Sequence, residues 1–324
     1  MSLFSYARPK ALGDALKLLK SGTTALAGGT DLMTLVRHGI ARPDALVDLT
    51  GIEGLRGITR AKGQGIRIGA LTALTDVEQS AELAKSLPIL RESLRDAATP
   101  QIRNMGTVGG NLLQRNRCWY FRDEGVPCWL KGGTRCFAVD GENRYHAVVG
   151  AHECWMVSPS DLAPALIACD AELEIASSAG KRRMKLVELF IAPHGRERRE
   201  HALRAGELIT AVRIPEKATL RRGAYLKAME RKAWSFAIVS VAASAKIGKD
   251  GKASDARIVL GGVAPVPWRV PAAEKLLEAT SLDDNACLAA ADALLDGAQP
   301  LRDNGYKVTL VRELVRRALR SLVA

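Results

Sequence analysis

At 324 residues, 47% hydrophobic and 25% charged, the chain is long enough for two or three domains and has the balance of an ordinary globular protein. No apolar run approaches the ~18 residues of a transmembrane helix, and Met1 to Pro9 lacks a basic stretch followed by an apolar core, so no export signal of its own is expected. The net charge of +12 is scattered and only 5% of residues are aromatic, which favours docking of an acidic partner over a nucleic-acid surface of basic patches and stacking rings.

In chain order, Pro9 to Lys20 reads as a helix, with Leu12, Ala15, Leu16 and Leu19 at helical spacing. Thr24 to Ala27 is a short strand, followed by Gly28-Gly29-Thr30-Asp31 and a helix from Leu32 to His38. Strand, glycine turn and helix N-terminus together present free N–H groups to an anion. The competing reading is a plain strand-to-helix connection, and no G-x-G-x-x-G dinucleotide signature is present. Ala45 to Leu49 and Ile66 to Leu71 are strands, and Leu74 to Ala84 and Pro88 to Ala97 are helices.

A second glycine loop follows, Arg103-Asn104-Met105-Gly106-Thr107-Val108-Gly109-Gly110-Asn111. Its glycines let backbone N–H groups turn outward against phosphate or other oxygen-rich ligands. Ser158-Pro159-Ser160-Asp161 caps a helix from Leu162 to Ala168. Ala171 to Ala176 and Glu207 to Ile214 alternate like strands. The basic runs Lys181-Arg182-Arg183 and Arg196 to Arg199 read as solvated turns, and Pro215 to Leu220 as a boundary. Ala224 to Glu230, Ile238 to Ile247 and Ala256 to Gly261 form three strands, with Lys249-Asp250-Gly251 as a hairpin turn. Three helices close the chain: Ala272 to Ala279, Asp283 to Leu295 and Tyr306 to Leu322. Strands followed by helices make the class α+β.

Between the glycine loop and the capped helix lie Cys118, Cys128, Cys136 and Cys154, separated by nine, seven and seventeen residues. Four thiols crowded together in a chain of this size favour a metal or cluster centre over two disulfides or free thiols. Neither zinc knuckles nor ferredoxin spacers are present. Trp119, Trp129 and Trp155 would shield such a centre, and Arg117, Arg122 and Arg135 would offset its charge. Cys169 and Cys287 read as ordinary core residues.

The series Ala27-Gly28-Gly29-Thr30-Asp31-Leu32, Ile68 to Thr72, Arg103 to Asn111, Ser160-Asp161-Leu162-Ala163-Pro164 and Tyr225-Leu226-Lys227 resembles the FAD-binding medium subunit of the molybdenum hydroxylases, over the whole chain. The stretch Arg117-Cys118-Trp119-Tyr120-Phe121-Arg122-Asp123, onward to Pro127-Cys128, is similar to the [4Fe–4S]-carrying insertion of FAD subunits from periplasmic bacterial aldehyde oxidoreductases.

The resemblance implies a two-subdomain FAD-binding fold of the vanillyl-alcohol-oxidase type, residues 1–55 and 56–216, with an iron–sulfur insertion at about 115–156. Residues 217–324 would form a three-stranded antiparallel sheet with a three-helix bundle. It further implies that Ala25, Leu26, Ala27, Gly28, Gly29, Thr30, Asp31 and Leu32 wrap the FAD pyrophosphate, and that Thr107, Gly110 and Asn111 hold ribityl and phosphate oxygens. Asp161 would accept from a flavin or ribityl hydroxyl, with helix N-cap as its other role. Ile209 and Lys227 would approach the isoalloxazine. Cys118, Cys128, Cys136 and Cys154 would ligate one [4Fe–4S] cluster, with His146 or His152 able to replace one of them.

The implied partners are a small [2Fe–2S] subunit and a large subunit carrying the molybdenum cofactor, which oxidises the substrate. The implied location is the periplasm, reached with a partner bearing a twin-arginine signal; the cytoplasm is the alternative. The other readings are a self-contained flavoenzyme, for which the sequence offers no acid–base set, and a zinc-stabilised binding module.

Overall fold

The computed structural model describes residues 3–61, 63–232 and 234–324. The first unit holds strands β1 (Ser5–Ala7), β2 (Thr23–Leu26) and β3 (Ala45–Asp48) with helices α1 (Leu12–Leu18) and α2 (Leu32–Arg37). Its strands pair in parallel in the order β1-β3-β2. Ala15, Val47, Leu49 and Leu55 fill its small core.

The second unit is a five-stranded antiparallel sheet, β4 (Ile58–Ala61), β5 (Gly65–Gly69), β6 (Glu172–Ser177), β7 (Gly180–Lys185) and β8 (Leu208–Ile214), in the order β4-β5-β8-β6-β7. Between β5 and β6 run helices α3 (Leu74–Gln79), α4 (Ala81–Ser86), α5 (Pro88–Arg95), α6 (Pro100–Met105), α7 (Val108–Leu112), α8 (Trp119–Arg122) and α9 (Leu162–Ala168). The third unit is the antiparallel sheet β9 (Arg222–Ala228), β10 (Val239–Ile247) and β11 (Ala253–Gly261), covered by α10 (Pro271–Lys275), α11 (Asp284–Leu294) and α12 (Tyr306–Arg320).

The main core runs from Ile66, Leu90, Leu166 and Val212 into Tyr225, Ala242 and Val259, so the second and third units share one apolar interior. Arg221, 1% exposed at its side chain, reinforces the junction by pairing with Asp170 and Asp255. The C-terminal helices pack Leu294, Val311 and Leu319 onto Val241, Ile258 and Leu260. The cysteine segment builds its own cluster of Phe121, Cys128, Trp129, Leu130, Cys154 and Met156 against Leu35 of α2.

Several elements differ from the sequence reading. The first helix starts at Leu12 rather than Pro9. The helix expected over Leu74–Ala84 breaks at Ser80, whose hydroxyl accepts from Leu83 N at 3.3 Å and restarts the chain as α4. The stretch expected as a glycine loop is two short helices, because Thr99 and Thr107 each cap a turn: Thr99 accepts from Ile102 N and Thr107 from Gly110 N. Lys181-Arg182-Arg183 is an edge strand rather than a turn; Arg182 pairs with Glu207 at 2.7 Å, and the other charges suit an edge that must not pair further. The run at Arg196 to Arg199 is not simply solvated either: Arg198 lies over the Trp129 ring at 4.7 Å and donates to the Trp129 and Gly133 carbonyls.

Candidate functional site: a glycine-lined groove beside a pocket of four thiols

At the end of β2 the backbone must reverse and enter α2 within a few residues. Gly29 takes φ +70°, and at Gly28 a Cβ would run into the Met105 carbonyl. Glycine is therefore required at both positions. The turn packs on Gly106, and Thr107 and Gly110 follow on α7. Their shared face is a groove of two lobes. The first, about 420 Å³, is lined by Ala25, Ala27, Gly28, Gly29, Leu32, Thr107 and Ile209 among others. The second, about 440 Å³, is lined by Asn111, Asp161, Ala97, Ala98, Trp234 and Phe236 among others. Thr30, Asp31, Gly110 and Gln114 border both lobes. Together they suit one elongated ligand with small-residue backbone at its middle.

Of the residues singled out from the sequence, all but Leu26 and Lys227 line this groove. Lys227 lies behind it, 1% exposed at its side chain. Its ammonium donates to Asp161 Oδ2 at 2.9 Å and to the Asp96 carbonyl at 3.0 Å. The Tyr225 hydroxyl donates to Asp161 Oδ1 at 2.8 Å. Burial pushes the Asp161 carboxyl up, and Lys227 and Tyr225 oppose that rise. Asp161 makes no cap bond to α9: Ser160 does, accepting from Ala163 N at 3.0 Å while donating to Asn111 Oδ1 at 2.6 Å. The carboxylate is thus left to the groove and its two donors.

Asp31 ties the groove to the cysteine segment. Its carboxylate accepts from Arg115 N, Arg117 Nη1 and Arg122 Nη2, each at 2.8 Å. Arg117 and Arg122, expected to offset charge at a metal centre, instead neutralise Asp31 and tie the glycine turn to the cysteine segment. Arg135 lies over the Phe137 ring at 4.6 Å and is exposed toward Asp140.

The cysteine segment gathers Cys118, Cys128, Cys136 and Cys154 around one pocket with Phe121, Trp129, Phe137 and Met156. All four are free thiols in this structure. Burial pushes Cys118 up to about 12, and the neighbouring Cys136 and Cys128 add to that rise. Burial also raises Cys128 and Cys154, each with Cys136 adding to the effect. Four thiols lining one apolar pocket have the donor chemistry of a thiolate-bound centre, in which bound metal replaces the protons. The side chains close the pocket to about 10 Å³. Among the described residues, no three His, Cys, Asp or Glu side chains converge on the position of a single metal ion.

Trp119 and Trp155 do not line the pocket. His152 is not at the pocket either; it is exposed and lies against His194, with ring centroids 5.7 Å apart. His146 is there, with Nε2 3.2 Å from Cys118 Sγ.

A profile for the FAD-binding domain in molybdopterin dehydrogenase matches residues 2–217, and one for the CO dehydrogenase flavoprotein C-terminal domain matches residues 224–322. The chain belongs to the FAD-binding flavoproteins of the molybdopterin dehydrogenases. It is 37% identical to the aldehyde oxidoreductase FAD-binding subunit PaoB of Escherichia coli K12, over 100% of this chain and 98% of that one. It is 32% identical to the carbon monoxide dehydrogenase medium chain of Afipia carboxidovorans, over 98% of this chain and 95% of that one. Among solved structures, reconstituted CO dehydrogenase from Oligotropha carboxidovorans superposes with a TM-score of 0.79 at 28% identity, covering 99% of this chain and 98% of that one. As a member of this family the chain is an FAD-binding oxidoreductase subunit of α+β fold.

Sequence reasoning missed Gln114, Arg115, Trp234 and Phe236 as groove residues. Trp234 and Phe236 are 61% and 46% exposed, and two aromatics in a polar connection between strands were the signal available.

Proposed function

We propose that this chain is the FAD- and [4Fe–4S]-binding electron-transfer subunit of a molybdenum-dependent aldehyde oxidoreductase. It takes electrons from a small [2Fe–2S] subunit and passes them through FAD to an external acceptor, while a large subunit with the molybdenum cofactor oxidises the aldehyde. The observation that carries this reading is the pairing of a two-lobed glycine-lined groove with a four-thiol pocket, joined through Asp31, Arg117 and Arg122. The similarity to an aldehyde oxidoreductase FAD-binding subunit supports aldehyde as the substrate class.

In this reading the turn from Ala25 to Leu32 holds the pyrophosphate with backbone N–H groups at the start of α2. Thr107, Gly110 and Asn111 hold ribityl and phosphate oxygens, and Ile209 packs against the ligand from β8. Asp161 accepts a hydrogen bond from the flavin or ribityl chain, and Lys227 acts through Asp161. FAD, when bound, supplies the exchange between one-electron arrivals and two-electron departures. Cys118, Cys128, Cys136 and Cys154 hold the cluster.

The likeness of the cysteine segment to that of periplasmic enzymes supports a periplasmic address, reached with a partner bearing a twin-arginine signal. Among the described residues, no helix is long and apolar enough to cross a membrane.

The test is purification with both partners followed by cofactor analysis. The subunit should carry releasable FAD and about four iron and four sulfide for this cluster type. Zinc without iron would overturn the cluster assignment, and absence of flavin would overturn the whole reading. Fractionation tests the address: assembled complex confined to the cytoplasm would refute co-export alone.

A further inference from the structure

The cysteine segment is fastened to the C-terminal domain by several contacts, and those at His146 bear on the thiol pocket. Asn304 and Lys307, both fully buried, stand at the start of α12. The Lys307 ammonium donates to the carbonyls of Tyr145 at 2.7 Å, His146 at 3.0 Å and Gly262 at 2.8 Å. Asn304 Nδ2 donates to the His146 and Ala147 carbonyls at 3.2 and 3.0 Å. The His146 carbonyl thus receives two bonds from the C-terminal domain.

The His146 ring, buried at 3% exposure, is set edge-on to Trp119 with centroids 5.0 Å apart. Its Nε2 faces Cys118 Sγ at 3.2 Å, and its buried Nδ1 has no partner. A metal-bound thiolate carries no proton and only accepts, which places the imidazole hydrogen on Nε2 and leaves Nδ1 bare.

We propose that His146, held in place by Lys307 and Asn304, donates a hydrogen bond to the Cys118 sulfur and so sets the reduction potential of the cluster. This rests on the four cysteines holding that cluster. Hydrogen bonds to cluster sulfurs and nearby charge are among the levers that fix such potentials. A donor to sulfur favours the more electron-rich reduced state, so it raises the potential. Lys307 works in the same direction. It has no carboxylate in ion-pair reach among the described residues, and its three carbonyl acceptors outnumber the two N–H groups of an uncharged amine. Burial pushes the ammonium down to about 7, while the three carbonyl acceptors match the three N–H groups of its charged form. His146 is a tuning residue and Lys307 a positioning residue; neither is a ligand.

The experiment is a redox titration of the assembled complex, following the cluster by electron paramagnetic resonance and the flavin by absorption. It uses wild type, His146→Phe, His146→Gln and Lys307→Met, after iron, sulfide and FAD have been measured in each. Full cluster content, an unchanged flavin potential and a cluster potential shifted downward are expected in His146→Phe and Lys307→Met, with a smaller shift in His146→Gln, which keeps an N–H donor.

An unchanged cluster potential in a fully loaded His146→Phe overturns the proposal. So does loss of iron with FAD retained, which would make His146 a ligand. If His146→Phe does not fold, an unchanged potential in Lys307→Met overturns it equally. Wild type without iron would instead refute the cluster reading on which the proposal rests.

Discussion

Lys227 Nζ lies 2.9 Å from Asp161 Oδ2, and both side chains are almost wholly withdrawn from solvent. The lysine therefore reaches the groove through a carboxylate. Removing one partner of a buried pair costs roughly 3–5 kcal/mol, because the other charge is stranded. Lys227→Met should lower both FAD retention and the flavin midpoint potential. Adding Asp161→Asn should restore much of the retention, since the double variant buries no lone charge. Flavin-to-protein ratios and potentials of the two variants check this; a potential unchanged in Lys227→Met would show that the pair does not act on the flavin.

Gly28→Ala should abolish flavin binding while leaving the C-terminal domain folded. The new methyl group has nowhere to go but the Met105 carbonyl, so the turn and α6 must separate. The check is the flavin content of the purified variant together with its circular dichroism. Retention of stoichiometric FAD would show that the two glycine segments do not form one cradle.

Cys128→Ser should abolish or strongly perturb the signal of the reduced cluster. Cys128 is buried between Phe121, Trp129 and the other three thiols, where no solvent group can take its place. Iron, sulfide and the resonance spectrum decide the matter, and a native spectrum in this variant would falsify the ligand set.

His201 makes stability depend on pH. Burial pushes its imidazole from 6.5 down to about 4. The unfolded chain then takes up a proton near pH 6.5 while the folded chain resists until about 4. Stability present above pH 6.5 is lost as pH falls through that window, by up to about 3 kcal/mol at 1.36 kcal/mol per unit. Melting temperatures of wild type and His201→Phe across pH 4 to 7 test this: the variant should show a flatter acid slope.

How much of this was legible beforehand follows from the range of each interaction. The two glycine segments could be read locally, because a turn into a helix needs glycine whatever surrounds it. The four cysteines could be read as a group because they are crowded in sequence. Their common pocket also depends on Phe121, Trp129, Phe137 and Met156, whose inward packing no spacing rule states. The resemblance sets Lys227 at the flavin, and its bond to Asp161, 66 residues away, is invisible to any local pattern. Arg117 and Arg122 read as partners of the neighbouring thiols because their carboxylate lies far upstream at Asp31. The two histidines offered as ligands could not be separated by sequence, yet Asn304 and Lys307 hold His146 against Cys118 while His152 faces solvent. The break at Ser80 was missed because its capping bond competes with a helical pattern that continues past it.

The relay claim is tested most directly by adding aldehyde, without oxygen, to the flavin-loaded subunit alone and then to the complex reconstituted with its small and large partners. No bleaching of the visible flavin absorption is expected in the isolated chain, and rapid bleaching is expected in the complex. Bleaching by aldehyde in the isolated chain would contradict that claim, because the substrate would then be oxidised on this subunit.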